Sequence, residues 1–364
     1  MESTSMSTSH RSPRGPGTRV AVVAVAEAHR RPGAGAVGPP SHPEPAPAVD
    51  GAEPAADRPR VAVDVGGTKI RSASVDGTGR LGPVHDQPTP DSSDHAVMSA
   101  IGDAVARCLP HHPGRLPVVG FAFPGVVDLG TGRLRRCQNL PELDAHPLAE
   151  VLANRLDAET LIDNDVNLAA IGETWRTDGP PVDDLVVLSL GTGIGAGIIS
   201  GGRLLRGHQG LAAEIADLPL FGDPHDPSLA AQGIFESAVG SVGILRSYHD
   251  RGGVVTVRTV AEVVARADRD AFAAQTLDEL AERVAVSVMV LRAIVDPEVV
   301  VLTGGIGSAP PVRQRIQAAV AALPYPPLPV VGSVLGDKAA LVGAAALACG
   351  RVGPWVSATP SVRP

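Results

Sequence analysis

Two hydrophobic patterns alternate along this chain. Short, wholly apolar runs stop at glycine, and longer stretches carry apolar residues at three- and four-residue spacing. The first pattern reads as buried strands, the second as helices. Val61-Ala62-Val63 is a strand running into Asp64-Val65-Gly66-Gly67-Thr68-Lys69, and Ile70 to Ser74 returns as its hairpin partner. The pattern then predicts a helix over His95 to Cys108, a strand over Val118 to Phe123, a helix over Pro147 to Leu156, a strand at Thr160-Leu161-Ile162 and a helix over Asn167 to Trp175. A second unit repeats the theme. Leu185 to Leu190 feeds another glycine loop, Gly191-Thr192-Gly193-Ile194-Gly195-Ala196-Gly197, and Ala196 to Ile199 is the partner strand. Helices over Val260 to Ala267 and Leu277 to Val295 precede a strand, Val299 to Leu302, which enters Gly304-Gly305-Ile306-Gly307. A helix over Val312 to Ala322 and a last one over Lys338 to Cys349 complete the pattern.

Two halves that each open with strand, glycine loop and strand predict a duplicated α/β fold, with two domains around a cleft that holds the ligand. The small domain spans 59–177, with the helix over 337–350 packing back on it, and the large domain spans 178–336. Residues 1–58 differ from the rest, being rich in Pro, Ala, Gly and Ser, and read as a disordered extension. Its one apolar run, Val20 to Ala26 behind Arg11, Arg14 and Arg19, is short for a secretory leader; a disordered tail or a start codon placed too far upstream fits better.

Composition narrows the reading. Hydrophobic residues make up 44% of the chain but aromatics only 2%, so the core must be Val, Leu, Ile and Ala. A formal charge of -8 argues against nucleic acid, which needs a concentrated cationic face. No apolar run approaches the length of a membrane span. Cys108, Cys137 and Cys349 are far apart and odd in number, which offers no disulfide framework and suits a reducing cytoplasm.

Three glycine loops in this order describe an ATP-dependent phosphotransferase. The first follows a strand with no helix directly after it, unlike a P-loop or a dinucleotide loop. Its glycines allow a tight turn with backbone N–H groups turned toward phosphate oxygens, although an ordinary hairpin turn would use them too. Asp64 at the strand end would hold Mg²⁺ through water, with Gly66, Gly67, Thr68 and Lys69 on the phosphates. Gly191, Thr192, Gly193 and Gly195 repeat that design, and Gly304 and Gly305 form the third loop. Asp165, in Asn164-Asp165-Val166-Asn167, lies between a strand and a helix, where a carboxylate can accept a hydroxyl proton during phosphoryl transfer. Asn and Asp at that place also suit a helix N-cap.

From about Val61 to Ala348 the chain resembles the ROK family of sugar kinases, which have the actin-like ATPase (ribonuclease H-like) fold shared with hexokinases. The pieces that carry the resemblance are Asp64 to Lys69, Phe123-Pro124-Gly125-Val126-Val127-Asp128, Gln138-Asn139-Leu140-Pro141, Asn164 to Asn167 through Ala169-Ala170-Ile171-Gly172-Glu173, Gly191 to Gly197, Ala213-Glu214, Phe235-Glu236, and Asp296-Pro297-Glu298 into Gly304-Gly305. The resemblance implies a hexose 6-kinase using ATP and Mg²⁺. Asp165 would be the general base, Asn139, Asn164, Glu214 and Glu236 would bind the sugar hydroxyls, and Gly304 to Gly307 would line the adenine and ribose site. It also implies a homodimer or tetramer, and it leaves the donor open, since polyphosphate serves some relatives. Other family members are transcriptional repressors with an N-terminal helix-turn-helix. The proline-rich residues 1–58 show no such helix pair, so the alternative is a sugar sensor without kinase activity.

The chain departs from the family at one place. The family usually carries Glu-x-Gly-His and then a cysteine cluster, Cys-x-Cys-Gly-x-x-Gly-Cys, that binds a structural zinc. Here the first is Glu214-Ile215-Ala216-Asp217, and Phe221 to Phe235 contains no cysteine, so no zinc is expected. His208 and His225 alone read as surface residues. The family's histidine also touches the sugar. Asp217 in its place either offers an anion to a substrate amine, which points to an aminohexose such as kanosamine (3-amino-3-deoxyglucose), or bonds the backbone of a shortened loop.

Overall fold

The computed structural model describes residues 58–90, 94–109, 115–128, 131–137, 140, 143, 147–175, 182–230, 232–351 and 356–358. Residues 53–364 form one compact unit. The expected extension over 1–58 lies outside the described residues except for Arg58. That residue belongs to the fold, where it pairs with Glu159 at 2.6 Å and donates to the Leu116 carbonyl at 2.8 Å.

The first lobe is built from β1 (Arg60–Val65), β2 (Lys69–Val75), β3 (His85–Pro88), α1 (Asp94–Cys108), β4 (Val118–Phe123), the small hairpin of β5 (Val126–Val127) and β6 (Leu134–Arg135), α2 (Leu148–Leu156), β7 (Glu159–Asn164) and α3 (Asp165–Trp175). The second contains β8 (Leu185–Leu190), β9 (Ile194–Ser200), β10 (Arg203–Leu204), α4 (Pro227–Ala230), α5 (Ile234–Val239), α6 (Ser241–Asp250), α7 (Val260–Arg266), α8 (Ala271–Val295), β11 (Val299–Thr303), α9 (Gly304–Gly307), α10 (Pro310–Ala321) and β12 (Val330–Gly332). α11 (Ala339–Ala348) then returns to the first lobe, where β13 (Val356–Ala358) pairs antiparallel with β7.

The duplication is visible in the strand order. The first sheet runs β13-β7-β4-β1-β2-β3 and the second β10-β9-β8-β11-β12. In each, the opening strand pairs antiparallel with its hairpin partner and parallel with the next buried strand. The carboxyl ends of β1, β7, β8 and β11 therefore carry Asp64, Asn164, Leu190 and Thr303, the place where open α/β sheets bind ligands.

Several boundaries differ from the sequence expectation. α3 starts at Asp165, two residues earlier, because Asn164 caps it. α8 starts at Ala271, where Asp270 accepts from the Phe272 and Ala273 amides. Gly304 to Gly307 form a helical turn rather than an open loop. α5 and α6 were not legible, since Gly240 and Gly243 interrupt the apolar spacing. Among the described residues no helix is long and apolar enough to cross a membrane.

Three apolar cores hold the fold. One lies in each lobe, and the third joins them through Ala62, Leu168, Val187, Ile199, Val301 and the buried face of α11. α11 reaches α3 and the first sheet at backbone distance. A Cβ on Gly343 would lie 1.9 Å from the Leu168 carbonyl oxygen, and one on Gly120 2.1 Å from that of Ala344. The lobes are also tied by a buried ion pair. Asp163, at the end of β7, receives both Nε (3.2 Å) and Nη2 of Arg206, which follows β10. Its other oxygen accepts from the Asn164 amide at 2.8 Å and from Asn167 Nδ2 at 3.3 Å.

Two stability predictions follow from these contacts. Gly343→Ala forces α11 off α3 and lowers the unfolding free energy by about 1–3 kcal/mol, read from urea unfolding. Arg206→Ala strands a buried carboxylate and costs about 3–5 kcal/mol in the same measurement. An unchanged midpoint for either variant would contradict the packing described.

Candidate active site

β7 ends in a strand-to-helix turn that presents Asp165 to the cleft. The turn is fixed from two sides. Asn164 Oδ1 accepts from the Val166 and Asn167 amides, both at 2.9 Å, and Asn164 Nδ2 donates to the Gly125 carbonyl at 2.8 Å. Most of the Asn164 amide is thereby engaged, leaving one N–H for a ligand hydroxyl. Asn164 is the N-cap, and Asp165 stands at the first helical position with its carboxylate accepting from the Val166 amide at 2.8 Å.

Two cavities meet at this turn. The first, of about 260 Å³, is lined by Asn164, Asp165, Glu214, Glu236, Arg136 and Thr192, among others, with Gly191, Gly193 and Gly195 in its floor. The second, of about 330 Å³, is lined by Asp64, Asp165, Thr303, Gly304, Gly305 and Asp337, and by Ala169, Ala339 and Ala340 from α3 and α11. Asp165, Val166 and Ser189 belong to both. The first cavity offers carboxylates and amides that suit a polyol. The second offers glycine turns, an acidic end and a flat alanine wall.

The carboxylates on this shared wall are perturbed. Burial, and next the charge of Asp64, push the Asp165 carboxyl up to about 7. Burial pushes Asp64 up to about 6, against the lowering effect of Arg71 and Lys69. Burial also raises Glu214 and Glu236, with Arg136 opposing. Asp165 is therefore held near neutrality, where a general base works. Asp64 offers the second cavity a hard carboxylate oxygen of the kind a divalent cation such as Mg²⁺ takes, and it is the residue that would hold one; among the described residues no three acidic, histidine or cysteine side chains converge as a ligand set.

The glycine loops do two kinds of work. A Cβ on Gly193 would lie 2.0 Å from Glu236 Oε2, and one on Gly195 3.0 Å from Val166 Cγ2, so these glycines admit Glu236 and α3 rather than only phosphate. Glu236 is in turn held by the Ile194 amide at 3.0 Å. Gly304 has φ +79°, and a Cβ there would meet the Leu190 carbonyl at 2.3 Å, whereas a Cβ on Gly305 would meet nothing within 4 Å. In the first loop, Gly66 donates to the Lys69 carbonyl at 2.9 Å, Gly67 is half-buried and Thr68 exposed. Lys69, expected on the transferring phosphate, pairs at 3.4 Å with Asp337, which lines the second cavity.

Asn139 lies outside the described residues. Asp217 requires a correction. Its carboxylate does not face the cavity as an unmatched anion but receives both terminal nitrogens of Arg136, Nη2–Oδ1 at 2.6 Å, and it is Arg136 that lines the cavity. His208 and His225 are exposed. The sequence has no cysteine between 138 and 348, so the thiolates that a zinc cluster requires are missing from the region around Glu214. Phe221 and Phe235 pack there instead, with ring centroids 6.3 Å apart and the Arg283 guanidinium over Phe221. Arg136, Arg206 and Asp337 escaped the sequence reading, since their partners lie far away in the chain. Asp163 had a signal, a charge directly after the apolar run over 160–162 and next to Asn164-Asp165.

Comparison with known proteins agrees with this geometry. The model of the ROK family matches residues 60–351. The chain is 29% identical over 288 residues to a glucokinase of Halalkalibacterium halodurans, covering 72% of this chain and 86% of that protein. It is 28% identical over 294 residues to an N-acetylmannosamine kinase of Escherichia coli, covering 80% and 98%. A ROK glucokinase from Streptomyces griseus, solved with glucose and AMPPNP, superimposes with a TM-score of 0.66 at 28% identity, covering 79% of this chain and 98% of that one. The duplicated sheets are those of the actin-like ATPase fold, and the chain belongs to the ROK family.

Proposed function

We propose that this protein is an ATP-dependent hexose kinase that phosphorylates the 6-hydroxyl of a neutral hexose, with Asp165 as general base. One observation carries the reading: Asp165 stands on the wall shared by a polar chamber and a glycine-lined chamber, with its carboxyl raised to about 7. The hexose occupies the first chamber. Glu214 and Glu236 accept hydrogen bonds from its hydroxyls, and the remaining N–H of Asn164 donates to one. ATP occupies the second, with its phosphates toward Asp64 and its base toward Ala339 and Ala340.

As the hexose oxygen bonds to the γ-phosphorus, Asp165 takes the hydroxyl proton, the bond to the bridging oxygen breaks, and ADP leaves. Asp64 is the residue that would hold a divalent cation, which when bound would supply positive charge against the phosphates. The amide-held turn of Asn164 keeps the Asp165 carboxylate in place, so little reorganisation accompanies the transfer. A neutral hexose is favoured over an aminohexose such as kanosamine because the anion that would attract an ammonium group, Asp217, is matched by Arg136. The names of the relatives, glucokinase and N-acetylmannosamine kinase, support glucose and N-acetylated hexoses as first candidates.

The test is ADP release with Mg-ATP across glucose, mannose, N-acetylglucosamine, N-acetylmannosamine, glucosamine and kanosamine, repeated with polyphosphate as donor. Turnover of at least one neutral hexose is expected. Preference for the free amino sugars would return Asp217 to the pocket. Silence from folded protein with every sugar would favour a sugar sensor. Asp165→Asn should lower kcat by about 10²–10⁴-fold while leaving the hexose Kd, from calorimetry, within about threefold.

The pH dependence has a definite sign. The base works only when deprotonated, and its carboxyl is raised to about 7, so kcat/KM for the hexose rises with pH and levels off above that region. Below it the rate falls by about tenfold per pH unit. Because Asp64 and Asp165 repel each other, the limb belongs to the pair. A profile flat from pH 5 to pH 8 (about the range that separates the two states) would contradict this role.

A further inference from the structure

We infer that the Arg136–Asp217 ion pair is a clasp across the mouth of the polar chamber, which fixes the spacing of its two walls and so sets hexose affinity. The inference rests on the hexose-kinase reading for its substrate and goes beyond it in naming what holds the chamber to size. Arg136 follows β6 in the small hairpin of the first lobe, and Asp217 ends the helical turn Ile215–Asp217 of the second, directly after Glu214. The two side chains meet fork to fork, each guanidinium nitrogen on its own carboxylate oxygen, the geometry that holds direction as well as charge.

Both sides of the clasp lead to groups that line the chamber. On the first lobe, the Arg136 backbone is held at φ 59°, a left-handed conformation costly for a side-chain-bearing residue, and its neighbours Arg135 and Cys137 lie under Gly125. The Gly125 carbonyl accepts from Asn164, which caps the helix that starts at Asp165. On the second lobe, the Asp217 amide donates to the Glu214 carbonyl at 3.3 Å, so the clasp pulls on the residue that carries one sugar-facing carboxylate. Arg136 is the one cation among the described residues lining this chamber, and its charge opposes the burial that raises Glu214 and Glu236. Moving it away would loosen the walls and leave the two glutamates repelling each other.

The pair is partly open to solvent, with side-chain exposures of 31% and 45%. Salt should therefore weaken it, in contrast to the buried Asp163–Arg206 pair, which joins the lobes deeper in the cleft.

The experiment is a charge swap: wild type, Arg136→Asp, Asp217→Arg and the double variant, each checked for folding by its thermal melt. The readouts are the KM for glucose (or for the best hexose of the panel), the KM for ATP, and kcat. Each single variant, which sets like charges against each other, should raise the hexose KM by roughly tenfold or more and leave the ATP KM within about twofold. The double variant restores the opposite charges but leaves a carboxylate at the chamber, so it should recover part of the loss, with a hexose KM about threefold or more below that of the worse single variant. In wild type, raising NaCl from about 0.05 M to about 0.5 M should raise the hexose KM more than the ATP KM.

Single variants with a wild-type hexose KM, or a folded double variant no better than the worse single, would overturn the clasp. So would a loss confined to Arg136→Asp, which would make Arg136 a substrate contact without a partner role for Asp217. Should wild type turn over no hexose, the kinase reading falls on its own, and calorimetric titration of the same four proteins with glucose decides the clasp.

Discussion

The contact on which the rest depends is the approach of α11 to α3 at backbone distance. Gly343 lies against the Leu168 carbonyl and Gly172 against that of Ala339, so neither helix has a side chain at the closest points. The layer they form between the two sheets is made of Ala, Val, Leu and Ile and contains no fully buried aromatic ring among the described residues. This gives the low aromatic content a structural cause. The buried phenylalanines sit in the outer cores, Phe121 stacked on Phe123 in one lobe and Phe235 in the other. A thin shared layer also brings the first turns of both helices to one cavity, so that Asp165 of α3 and Ala339 and Ala340 of α11 face the same space.

Around that space some acids are matched by an arginine and others are not. Asp163 is paired with Arg206, Asp337 with Arg71, and Asp217 with Arg136. Asp165 pairs with no cation among the described residues and is held by a backbone amide alone. Each matched acid fixes a piece of backbone: β7 against the second lobe, the turn before α11 against β2, and the Glu214 segment against the small hairpin. Asp64, Glu214 and Glu236 have no ion pair among the described residues either, but of these acids only Asp165 lines both chambers, and its carboxyl is raised to about 7.

Much of this was legible in the sequence because the strongest signals are local. The hairpins of β1 with β2 and β8 with β9 stand out as apolar runs broken at glycine, and the turn from β7 to α3 as Asn-Asp between a strand and a helix. α5 and α6 were hidden for a physical reason. Gly240 packs against the Glu236 and Thr192 carbonyls and Gly243 against that of Ser237, so residues with poor helix propensity are required by tertiary contacts. Arg136 and Asp337 were hidden by distance: 81 residues separate Arg136 from Asp217, and 266 separate Arg71 from Asp337. The same gap hid the partner of Asp217, which the sequence offered either as an anion for a substrate amine or as a bond to loop backbone.

The glycine loops show how far such a motif can be read without coordinates. All three read as phosphate loops, and in the second and third the fold itself requires glycine, for different reasons. Gly193 makes room for the Glu236 carboxylate, Gly195 and Gly197 let β9 approach α3, and Gly304 turns the chain beneath the Leu190 carbonyl. At these positions a larger residue is excluded by the protein itself, whatever ligand is bound. At Gly191 and Gly305 a side chain would meet almost nothing but the cavity. A glycine that the fold does not need, at the end of a buried strand and facing open volume, is the feature that a bound phosphate or ribose explains best, because close approach of the ligand is then the remaining use for the missing side chain. The recurrence of glycine identified the loops, but it is the space around each one that separates the positions serving the ligand from those serving the fold.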